Sequence, residues 1–347
     1  MRKFIPLRTD LPAPPPDRTG WPWAEDSAPL PPTMPDGAPW PRITVVTPSF
    51  NQAQYVEETI RSVLLQGYPN LEYMVLDGGS TDGSAAIIER YGPWLAYWVS
   101  ERDGGQAQAI NRGFARATGA LVGWLNSDDT LLPGALARLA VAHERKPEAI
   151  VLGDVEFIRA DGELVRTVPQ TNVTFAGMVQ NWQLGMHWCQ QGTYVPQVLL
   201  KRVGGLDEGL RYVFDRDWMC RLLREAPVVY AGEPVARFRF HSGSKTVGEA
   251  NAWFPEQVEV TRRYVGAIAG LDWRYARAQM EVSAALTYIN LTRRDRRRGL
   301  AHLGSALRYD LRVSATWRFW LLAMAALAPL TVLRNLRRLA PTDLGGW

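Results

Sequence analysis

The segment that decides the fold is Ile43-Thr44-Val45-Val46-Thr47-Pro48-Ser49-Phe50-Asn51, a β-branched run that ends in a polar turn. An unbroken run of this kind predicts a strand buried on both faces, as in a parallel sheet. Apolar residues then recur at helical spacing from Val56 to Leu64, with Asn51 as a candidate N-cap and Gly67 as the stop. A strand that leads into a helix predicts the first βαβ unit of an α/β fold.

The same alternation continues along the chain. Further strands are predicted at 71–76, 95–99 and 120–125, with helices at 85–91 and 107–117. Strand-like runs at 150–152, 228–230 and 238–240 and a helix around 217–224 follow, and the chain beyond residue 250 is helical in pattern. We therefore expect a Rossmann-like α/β fold, with a mostly parallel sheet, helices on both faces and a C-terminal helical region.

Polar residues follow each of the first four predicted strands. These clusters are Pro48–Asn51, Asp77–Ser80, Ser100–Asp103 and Asn126–Asp129. In open α/β sheets, ligands bind outside the carboxyl ends of the strands. The four clusters therefore predict a single binding cleft at one edge of the sheet.

The first 41 residues contain twelve of the 24 prolines of the chain, together with Trp21, Trp23 and Trp40. Because proline fixes φ and removes a backbone donor, this segment predicts an extended arm without a helix or a central strand. The three tryptophans favour docking of part of the arm onto the folded body over a role as a peptide ligand.

Positive charge is concentrated in the last third of the chain. Residues 241–347 contain sixteen Lys and Arg against eight Asp and Glu, whereas the whole chain has a formal net charge of +4. The apolar run Phe319–Leu333 is interrupted by Pro329 and is shorter than the ~18 apolar residues that a membrane-spanning helix needs. We expect this run to lie in an anionic membrane interface, with packing on the protein body as the alternative.

The composition excludes several classes of protein. With 46% hydrophobic and 21% charged residues, the chain is globular and not disordered. Its cationic excess is too local for a nucleic-acid-binding protein, and its only two cysteines, Cys189 and Cys220, predict a reduced, cytoplasmic setting. The first ten residues lack the apolar core of a signal peptide.

Known nucleotide and hydrolase fingerprints are incomplete in this sequence. The segment Gly78–Ser84 approaches a phosphate-binding P-loop but lacks the lysine that reaches the phosphates. No Gly-x-Gly-x-x-Gly follows the first strand, and the sequence has neither a Gly-x-Ser-x-Gly elbow nor a His-Glu-x-x-His helix. Dehydrogenase, serine hydrolase and zinc protease activities therefore lose their main support.

Carboxylates at the strand ends are the remaining chemical signal. Asp128 and Asp129 directly follow a buried strand, where two adjacent anions repel unless a cation accommodates them. A divalent ion that bridges to a diphosphate would do so, while capping of the helix after Pro133 is an equal alternative. Asp77 with its glycines either accepts hydrogen bonds from a nucleoside or simply forms a tight turn.

Together these segments resemble glycosyltransferase family two, the inverting transferases of GT-A fold that use nucleotide-diphosphate sugars. Residues 43–51 are similar to the first strand and its Pro-Thr-Tyr-Asn turn, 72–83 to the nucleoside-binding loop, and 106–113 to the helix beside the donor. Residues 124–129 resemble the metal motif, with Asn126 where many members have a first Asp. The resemblance covers about residues 42–245, which are therefore predicted to be a GT-A domain. Composition and charge predict a Pro-rich arm at 1–41 before it and a basic helical region at 246–347 after it.

The resemblance also implies the site residues. The implied metal is Mn²⁺ or Mg²⁺, held by Asp128, Asp129 or both, with His241 as a further candidate ligand or a structural residue. The implied donor is a nucleotide-diphosphate sugar, with a UDP-sugar favoured. The residues implied to bind it are Pro48, Phe50, Asn51, Asp77, Gly79, Asp103, Gln106, Asn111 and Asp128.

The catalytic base is implied by the segment that contains Asp215. Residues 203–208 and 214–221 are similar to the Gly-Gly-Phe-Asp-Glu segment and the Glu-Asp catalytic motif of the family, with Phe214 replacing the usual acidic neighbour. The resemblance assigns the base to Asp215, and Asp217 is the competing candidate. The segment 187–191 lies where an acceptor pocket is expected, although a satisfied loop is an equal interpretation.

The sequence therefore predicts a metal-dependent inverting glycosyltransferase of the hexosyltransferase type. Its expected acceptor is a hydroxyl of a glycan or lipid-linked molecule in cell-surface polysaccharide or glycoconjugate synthesis, at the inner face of the cell membrane. The rival interpretation is a non-catalytic sugar-nucleotide-binding or scaffolding protein of the same fold. A nucleotidyltransferase is disfavoured, because the first turn lacks a Gly- and Arg/Lys-rich phosphate loop.

Overall fold

The computed structural model describes residues 5–182, 188–241, 243–244, 252–289 and 295–327. In this part of the chain nine strands form one sheet, in the order β3-β2-β1-β4-β8-β6-β9-β5, with β7 paired to β6. The strands are β1 (Ile43–Ser49), β2 (Leu71–Asp77), β3 (Tyr97–Ser100), β4 (Leu121–Trp124), β5 (Thr130–Leu131), β6 (Ile150–Arg159), β7 (Leu164–Val168), β8 (Thr193–Pro196) and β9 (Val228–Phe240).

Helices surround this sheet and form the C-terminal region. They are α1 (Val56–Leu64), α2 (Ser84–Tyr91), α3 (Gln106–Arg116), α4 (Ala135–Arg145), α5 (Phe175–Val179), α6 (Gln197–Val203), α7 (Phe214–Glu225), α8 (Phe254–Tyr264), α9 (Trp273–Ile289), α10 (Arg296–Tyr309) and α11 (Trp317–Leu327). The predicted α/β class and the C-terminal helical region are confirmed.

Strand directions confirm a mostly parallel sheet. The first four strands are all parallel, with β1 between β2 and β4. Strands β6 and β9 run the same way, whereas β5, β7 and β8 are antiparallel to their neighbours. All seven residues of β1 are buried, as its continuous β-branched run predicts for a central strand. The loops after β1 to β4 therefore meet at one edge of the sheet.

The N-cap prediction for Asn51 and the capping alternative for Asp128 and Asp129 are wrong, and two predicted strand runs belong to one strand. Asn51 does not cap α1, which begins at Val56 after Tyr55, because Asn51 itself has a φ of 52° in the turn. Neither Asp128 nor Asp129 caps the next helix, since α4 begins at Ala135 with Gly134 in the cap position. The runs at 228–230 and 238–240 are the two ends of one strand, β9, whose register with β6 shifts near its middle.

An aromatic cluster fixes the helix that carries the predicted base. Trp218 of α7 is fully buried, and its ring lies 5.2 Å from that of Trp124 on β4 and 5.7 Å from that of Phe114 on α3. Its indole N–H also donates to the carbonyl of Gly204 at 3.1 Å. Packing of this kind sets the direction in which the first turn of α7 presents its carboxylates.

The described part of the N-terminal arm is docked on the α/β body through a buried arginine. Arg61 of α1 is fully buried, and its guanidinium donates to the carbonyls of Pro12 and Pro22 at 2.9 and 3.2 Å. The same group lies 5.2 Å from the ring centroid of Trp23. The indole of Trp21 donates to the carbonyl of Leu131 at 2.7 Å. Because of these hydrogen bonds and ring contacts, the described part of the arm belongs to the folded body.

We expect Arg61→Met to lower the free energy of unfolding by about 3 kcal/mol, because it leaves buried carbonyls of the arm without a donor. Thermal denaturation and limited proteolysis of the arm measure this effect. Arg90→Met is the matched control, because Arg90 is half-exposed and pairs with Glu57 at the surface at 3.2 Å. Equal melting temperatures for the two variants would contradict the docking role.

The chain divides into two compact units. The first comprises Met1–Met178 and Gly185–Trp253, and the second comprises Val179–Leu184 and Phe254–Trp347. Within the second unit, α9, α10 and α11 share a core that includes Ala285, Leu303 and Phe319. The predicted boundary at residue 245 stays a prediction.

Helix α11 has one buried and one exposed apolar face. Phe319, Leu322 and Ala326 are buried in the core of the second unit. One face of this run therefore packs within the second unit, while residues 328–333 lie outside the described residues. None of the helices in the described ranges is both long and apolar enough to cross a membrane.

Candidate active site

Three loops at the carboxyl ends of β1, β2 and β3 are joined by hydrogen bonds. The N–H of Asn51 donates to Ser80 Oγ at 2.7 Å, and the N–H of Thr81 donates to Asn51 Oδ1 at 3.0 Å. The positive φ of Asn51 is a conformation that asparagine tolerates better than most residues. Phe50, just before it, has a ring that is 61% exposed, whereas Pro48 is buried within β1.

Asp77 holds one of these loops together. Its Oδ2 accepts from the N–H groups of Gly79 and Ser80 at 3.2 and 2.9 Å and from Ser100 Oγ at 2.7 Å. Its Oδ1 accepts from Ser80 Oγ at 2.5 Å, and the residue is buried. The tight-turn interpretation therefore describes the observed contacts of Asp77.

Asp128 and His241 lie side by side. They follow β4 and β9, at the same edge of the sheet as the loops after β1, β2 and β3. His241 Nε2 is 2.9 Å from Asp128 Oδ2, and both side chains are only slightly exposed. The imidazole also lies against the buried ring of Tyr55, with 4.7 Å between the centroids. The turn after β4 and the end of β9 thus bring together two of the predicted metal ligands.

Asp129 has different surroundings from its neighbour. It is fully buried, and its carboxylate accepts from Gln191 Nε2 at 2.9 Å, from Asn126 Nδ2 at 3.1 Å and from the N–H of Arg239 at 3.0 Å. Burial, and next the charge of Asp128, raise its pKa well above the usual value, against the effect of these three hydrogen bonds. Asp129 therefore ties three segments together, whereas Asp128 is partly exposed and contacts His241.

We expect Asp129→Ala to destabilise the protein by about 3 kcal/mol, because three donors, two of them buried, lose their acceptor. This corresponds to a fall in melting temperature of about 6–12 °C for a domain of this size. Thermal denaturation is the measurement, and Asp128→Ala is the comparison, with a smaller expected change. A parent-like melting temperature for Asp129→Ala would show that the carboxylate is free for a ligand.

Asn126 links α3 to this buried carboxylate. Gln106 Nε2 at the first turn of α3 donates to Asn126 Oδ1 at 2.8 Å, and Asn126 Nδ2 donates in turn to Asp129. An aspartate in place of Asn126 would face Asp129 as a second anion. The departure from the family pattern thus suits the buried position of Asp129.

Arg239 is a site residue that the sequence analysis missed. It is buried on β9, where Nε donates to the carbonyl of Asp128 at 3.1 Å and Nη2 pairs with Glu58 Oε1 at 2.8 Å. Its guanidinium carbon also lies 5.1 Å from the ring centroid of Tyr55. The only sequence signal is an arginine between two phenylalanines in an alternating strand. Its contacts show that it positions the turn that contains Asp128.

Asp215 and Asp217 lie in the first turns of α7 but differ in their surroundings. Asp215 is half-buried, and one of its oxygens accepts from the N–H of Arg216 at 2.7 Å. Asp217 is buried and pairs with Arg221 Nε at 2.9 Å. Arg221 in turn donates to the carbonyls of Val203 and Gly205, so that Asp217 supports the loop after α6.

Two other predicted groups make contacts within the protein. The amide of Asn111 bonds to both the N–H and the carbonyl of Leu206, at 2.8 and 3.0 Å, and ties α3 to the loop after α6. Gln190 and Gln191 are buried and bonded to Trp124 and Asp129. The satisfied-loop interpretation therefore holds for these two glutamines, while His187 lies outside the described residues.

The described residues contain no group of three His, Cys, Asp or Glu side chains that could hold a metal by themselves. Asp128 and His241 supply one oxygen and one nitrogen ligand at a single place. Mg²⁺ and Mn²⁺ commonly take only one or two protein ligands and complete their shell with substrate phosphates and water. The pair therefore fits a metal that binds together with a diphosphate.

Comparison with known proteins identifies relatives and structural neighbours. The family model for glycosyl transferase family 2 matches residues 44–195. An uncharacterized glycosyltransferase of Mycobacterium tuberculosis is 31% identical over 183 residues, which cover 52% of this chain and 68% of that protein. In five Rickettsia relatives, all named as uncharacterized glycosyltransferases, the match spans between 32% and 66% of their length.

Two solved structures share the fold. S. aureus TarS in complex with UDP-GlcNAc superposes with a TM-score of 0.57 at 17% identity, over 82% of this chain and 87% of that one. The mannosyltransferase PcManGT from Pyrobaculum calidifontis, in complex with GDP-Man and Mn²⁺, has a TM-score of 0.51 at 20% identity, over 92% of this chain and 84% of that one. At these identities the likeness concerns the fold.

Proposed function

The chain belongs to glycosyl transferase family 2 and has the GT-A fold, and from this premise we propose that it transfers a sugar from a nucleotide-diphosphate sugar to an acceptor hydroxyl, with inversion at the anomeric carbon. The observation that carries the proposal is the pairing of Asp128 with His241 at the same sheet edge as the loops around Asn51 and Asp77. In a bound donor the diphosphate lies between the nucleoside and the metal. The residues that hold the nucleoside and those that hold the metal must therefore lie at one edge of the sheet.

We propose that Phe50, Asn51 and the loops after β2 and β3 hold the nucleoside part of the donor. Phe50 offers an exposed ring next to these loops, and aromatic rings stack on bases of any sequence. Gln106, at the first turn of α3, is placed by its bond to Asn126. In this proposal, Asp77 and Asn111 act indirectly, since their own polar atoms shape the loops that surround the donor.

We propose that Asp128 and His241 hold Mn²⁺ or Mg²⁺ against the diphosphate. When bound, such an ion neutralises the charge that develops on the leaving group. Arg239 keeps the backbone of Asp128 in place, and Tyr55 keeps the imidazole in place. The solved structure of PcManGT, which shares the fold, is a complex with GDP-Man and Mn²⁺, in keeping with this proposal.

We propose that Asp215 is the general base. Its carboxylate takes the proton from the acceptor hydroxyl while the hydroxyl oxygen attacks the anomeric carbon of the donor. The new glycosidic bond forms as the bond from that carbon to the diphosphate oxygen breaks. Attack from the side opposite the leaving group inverts the configuration. The buried pairing of Asp217 with Arg221 supports Asp215 over Asp217 for this role.

A measurement of turnover distinguishes the proposed transferase from a non-catalytic sugar-nucleotide-binding or scaffolding protein. The full chain is incubated with UDP-sugars and GDP-sugars and Mn²⁺, and release of the nucleoside diphosphate is measured with and without a chelator. Metal-dependent release supports the transferase. Tight binding in thermal-shift assays without any release, for every donor and acceptor tried, would favour the non-catalytic protein.

We also propose that the exposed face of α11 binds an anionic membrane surface at the inner face of the cell membrane, where lipid-linked acceptors are found. Its exposed apolar side chains are Trp317, Trp320, Leu321, Met324 and Leu327, which recur at helical spacing and are 44–72% exposed. The cationic excess of residues 241–347 supports an anionic partner, since each basic residue near such a surface contributes ~1 kcal/mol.

We expect the full chain to sediment with anionic liposomes at low salt. The triple variant Trp317→Ser, Trp320→Ser and Met324→Ser should lose most of this binding, because it removes apolar burial without changing charge. Val198→Ser is the matched control, since Val198 is equally exposed on α6. Equal sedimentation of parent and triple variant would contradict the membrane role of α11.

A further inference from the structure

We propose that the N-terminal arm holds the turn between β4 and β5 in place, and that Trp21 is the positioning residue by which it does so. The proposal rests on the proposed function, because that function gives the metal to Asp128 in this turn. All the residues concerned belong to the first compact unit. The central contact is the indole N–H of Trp21, which donates to the carbonyl of Leu131 at 2.7 Å.

The indole bonds to the outer edge of β5, which is the last strand of the sheet. Among the residues that the structure describes, β5 pairs with β9 alone, and Leu132 just after it donates to the carbonyl of Val235. Leu131 bonds to other segments: its N–H donates to Ser62 Oγ at 3.1 Å, and its carbonyl accepts from Trp21. Backbone groups at a strand edge need partners from elsewhere. Here an indole of the arm and a hydroxyl of α1 take the place of a neighbouring strand.

The face of α1 that carries Ser62 also holds the residues just before β5. Thr59, three positions earlier, donates from Oγ1 to the carbonyl of Asp129 at 2.7 Å. Glu58, four positions earlier, pairs at 2.8 Å with Arg239, the residue that positions the turn. Residues three and four positions apart share a face of a helix. Helix α1 therefore presents these three side chains to the turn together.

Arg61, beside this face of α1, fixes the part of the arm next to Trp21. Its guanidinium donates to the carbonyl of Pro22 at 3.2 Å, and its central carbon lies 5.2 Å from the ring centroid of Trp23. The two residues that follow Trp21 are thus bound to the same helix that holds the turn. The indole therefore meets its acceptor from a fixed position and not from a free tail.

The position of β5 affects how firmly Asp128 is held. Asp128 lies in the segment 125–129, which joins β4 to β5. Contacts that orient a metal ligand raise metal affinity, and the loss of a direct one costs about 10–100-fold. Trp21 acts through Leu131, three residues from the ligand. We therefore expect the effect of one neutral hydrogen bond, which is about fivefold in affinity.

Trp21→Phe removes the indole N–H and keeps an aromatic ring. Calorimetric titration of Mn²⁺ into the full chain with UDP present should give an affinity about fivefold below that of the parent. Hydrogen exchange of the metal-free protein is a second readout, independent of activity. The peptide that contains residues 126–132 should exchange faster in the variant, because β5 opens more often.

Trp40→Phe is the matched control. The indole of Trp40 also donates to a carbonyl, that of Pro31 at 2.9 Å, but this bond lies within the arm. Its Mn²⁺ affinity and the exchange of residues 126–132 should equal those of the parent. Ser62→Ala tests the same strand edge from α1, because it removes the acceptor of the Leu131 N–H. It should weaken Mn²⁺ binding and speed exchange of the same peptide, as Trp21→Phe does.

The outcomes distinguish failure of the proposal from failure of the proposed function. A parent that binds no Mn²⁺ with UDP would overturn the proposed metal position and the role of Trp21 with it. A parent that binds Mn²⁺, beside a Trp21→Phe variant with parent-like affinity or parent-like exchange, would overturn the role of Trp21 alone. Equal losses in Trp21→Phe and Trp40→Phe would also overturn it, since the effect would then come from the stability of the arm.

Discussion

Replacement of Asp215 by asparagine should leave the affinity for the donor unchanged and lower the rate of transfer by about 10²–10⁴-fold. A positioned general base contributes this much, and an amide of the same shape cannot accept the proton. Asp215 lies half-buried in the first turn of α7, which the aromatic rings around Trp218 hold against the sheet. Its loss should therefore affect kcat and not the fold.

Steady-state kinetics and donor titration of the same preparation check this result. Asp217→Asn, two residues further along α7, is the matched control. Because Asp217 is buried and pairs with Arg221, we expect this variant to lose thermal stability and to keep measurable transfer at low temperature. An active Asp215→Asn enzyme beside a folded but inactive Asp217→Asn enzyme would assign the base to Asp217.

Replacement of Asp128 by alanine should abolish the effect of Mn²⁺ on donor binding and lower turnover by at least about a hundredfold, since metal ligands and their supports carry effects of this size or more. Asp128 is one of the two described side chains at the proposed metal position. Its neighbour Asp129 supports the fold. The loss should therefore occur with little change in melting temperature.

Calorimetric titration of Mn²⁺ into the protein with UDP present measures the effect directly. His241→Ala should weaken the same response by a smaller factor, because the carboxylate remains. Asp161→Ala is the control, since Asp161 is an exposed carboxylate in the turn between β6 and β7. If Asp128→Ala kept the full Mn²⁺ dependence of the parent, the metal position would have to be sought elsewhere.

The sequence was sufficient to predict the strands and helices whose patterns depend on neighbouring residues. The β-branched run of β1 and the periodicity of α1 depend on neighbours within a few residues, and both elements form where predicted. The polar clusters after β1 to β4 were also predicted to share one edge, because parallel strands point the same way. The family and the fold follow from these same segments.

Contacts between segments that are distant in the sequence could not be predicted from such local patterns. The two aspartates 128 and 129 look equivalent in sequence, yet one is buried by Gln191 and by Arg239, which is 110 residues away. Likewise, Asn111 matched the family helix beside the donor, but its amide is bound to Leu206, 95 residues further on. Which polar atoms are left for a ligand is decided by these long-range partners, and no local pattern records them.

The pairing of Asp128 with His241 also has a consequence for synthesis on the ribosome. The two residues are 113 positions apart, and β9, which ends just before His241, must insert between β6 and β5 to bring them together. At elongation rates of about 5–20 residues per second, the nascent chain grows for roughly 6–23 s after Asp128 is made before its partner exists. The loops after β1, β2 and β3 are all complete by residue 105, so they are made well before Asp128 and His241 can pair.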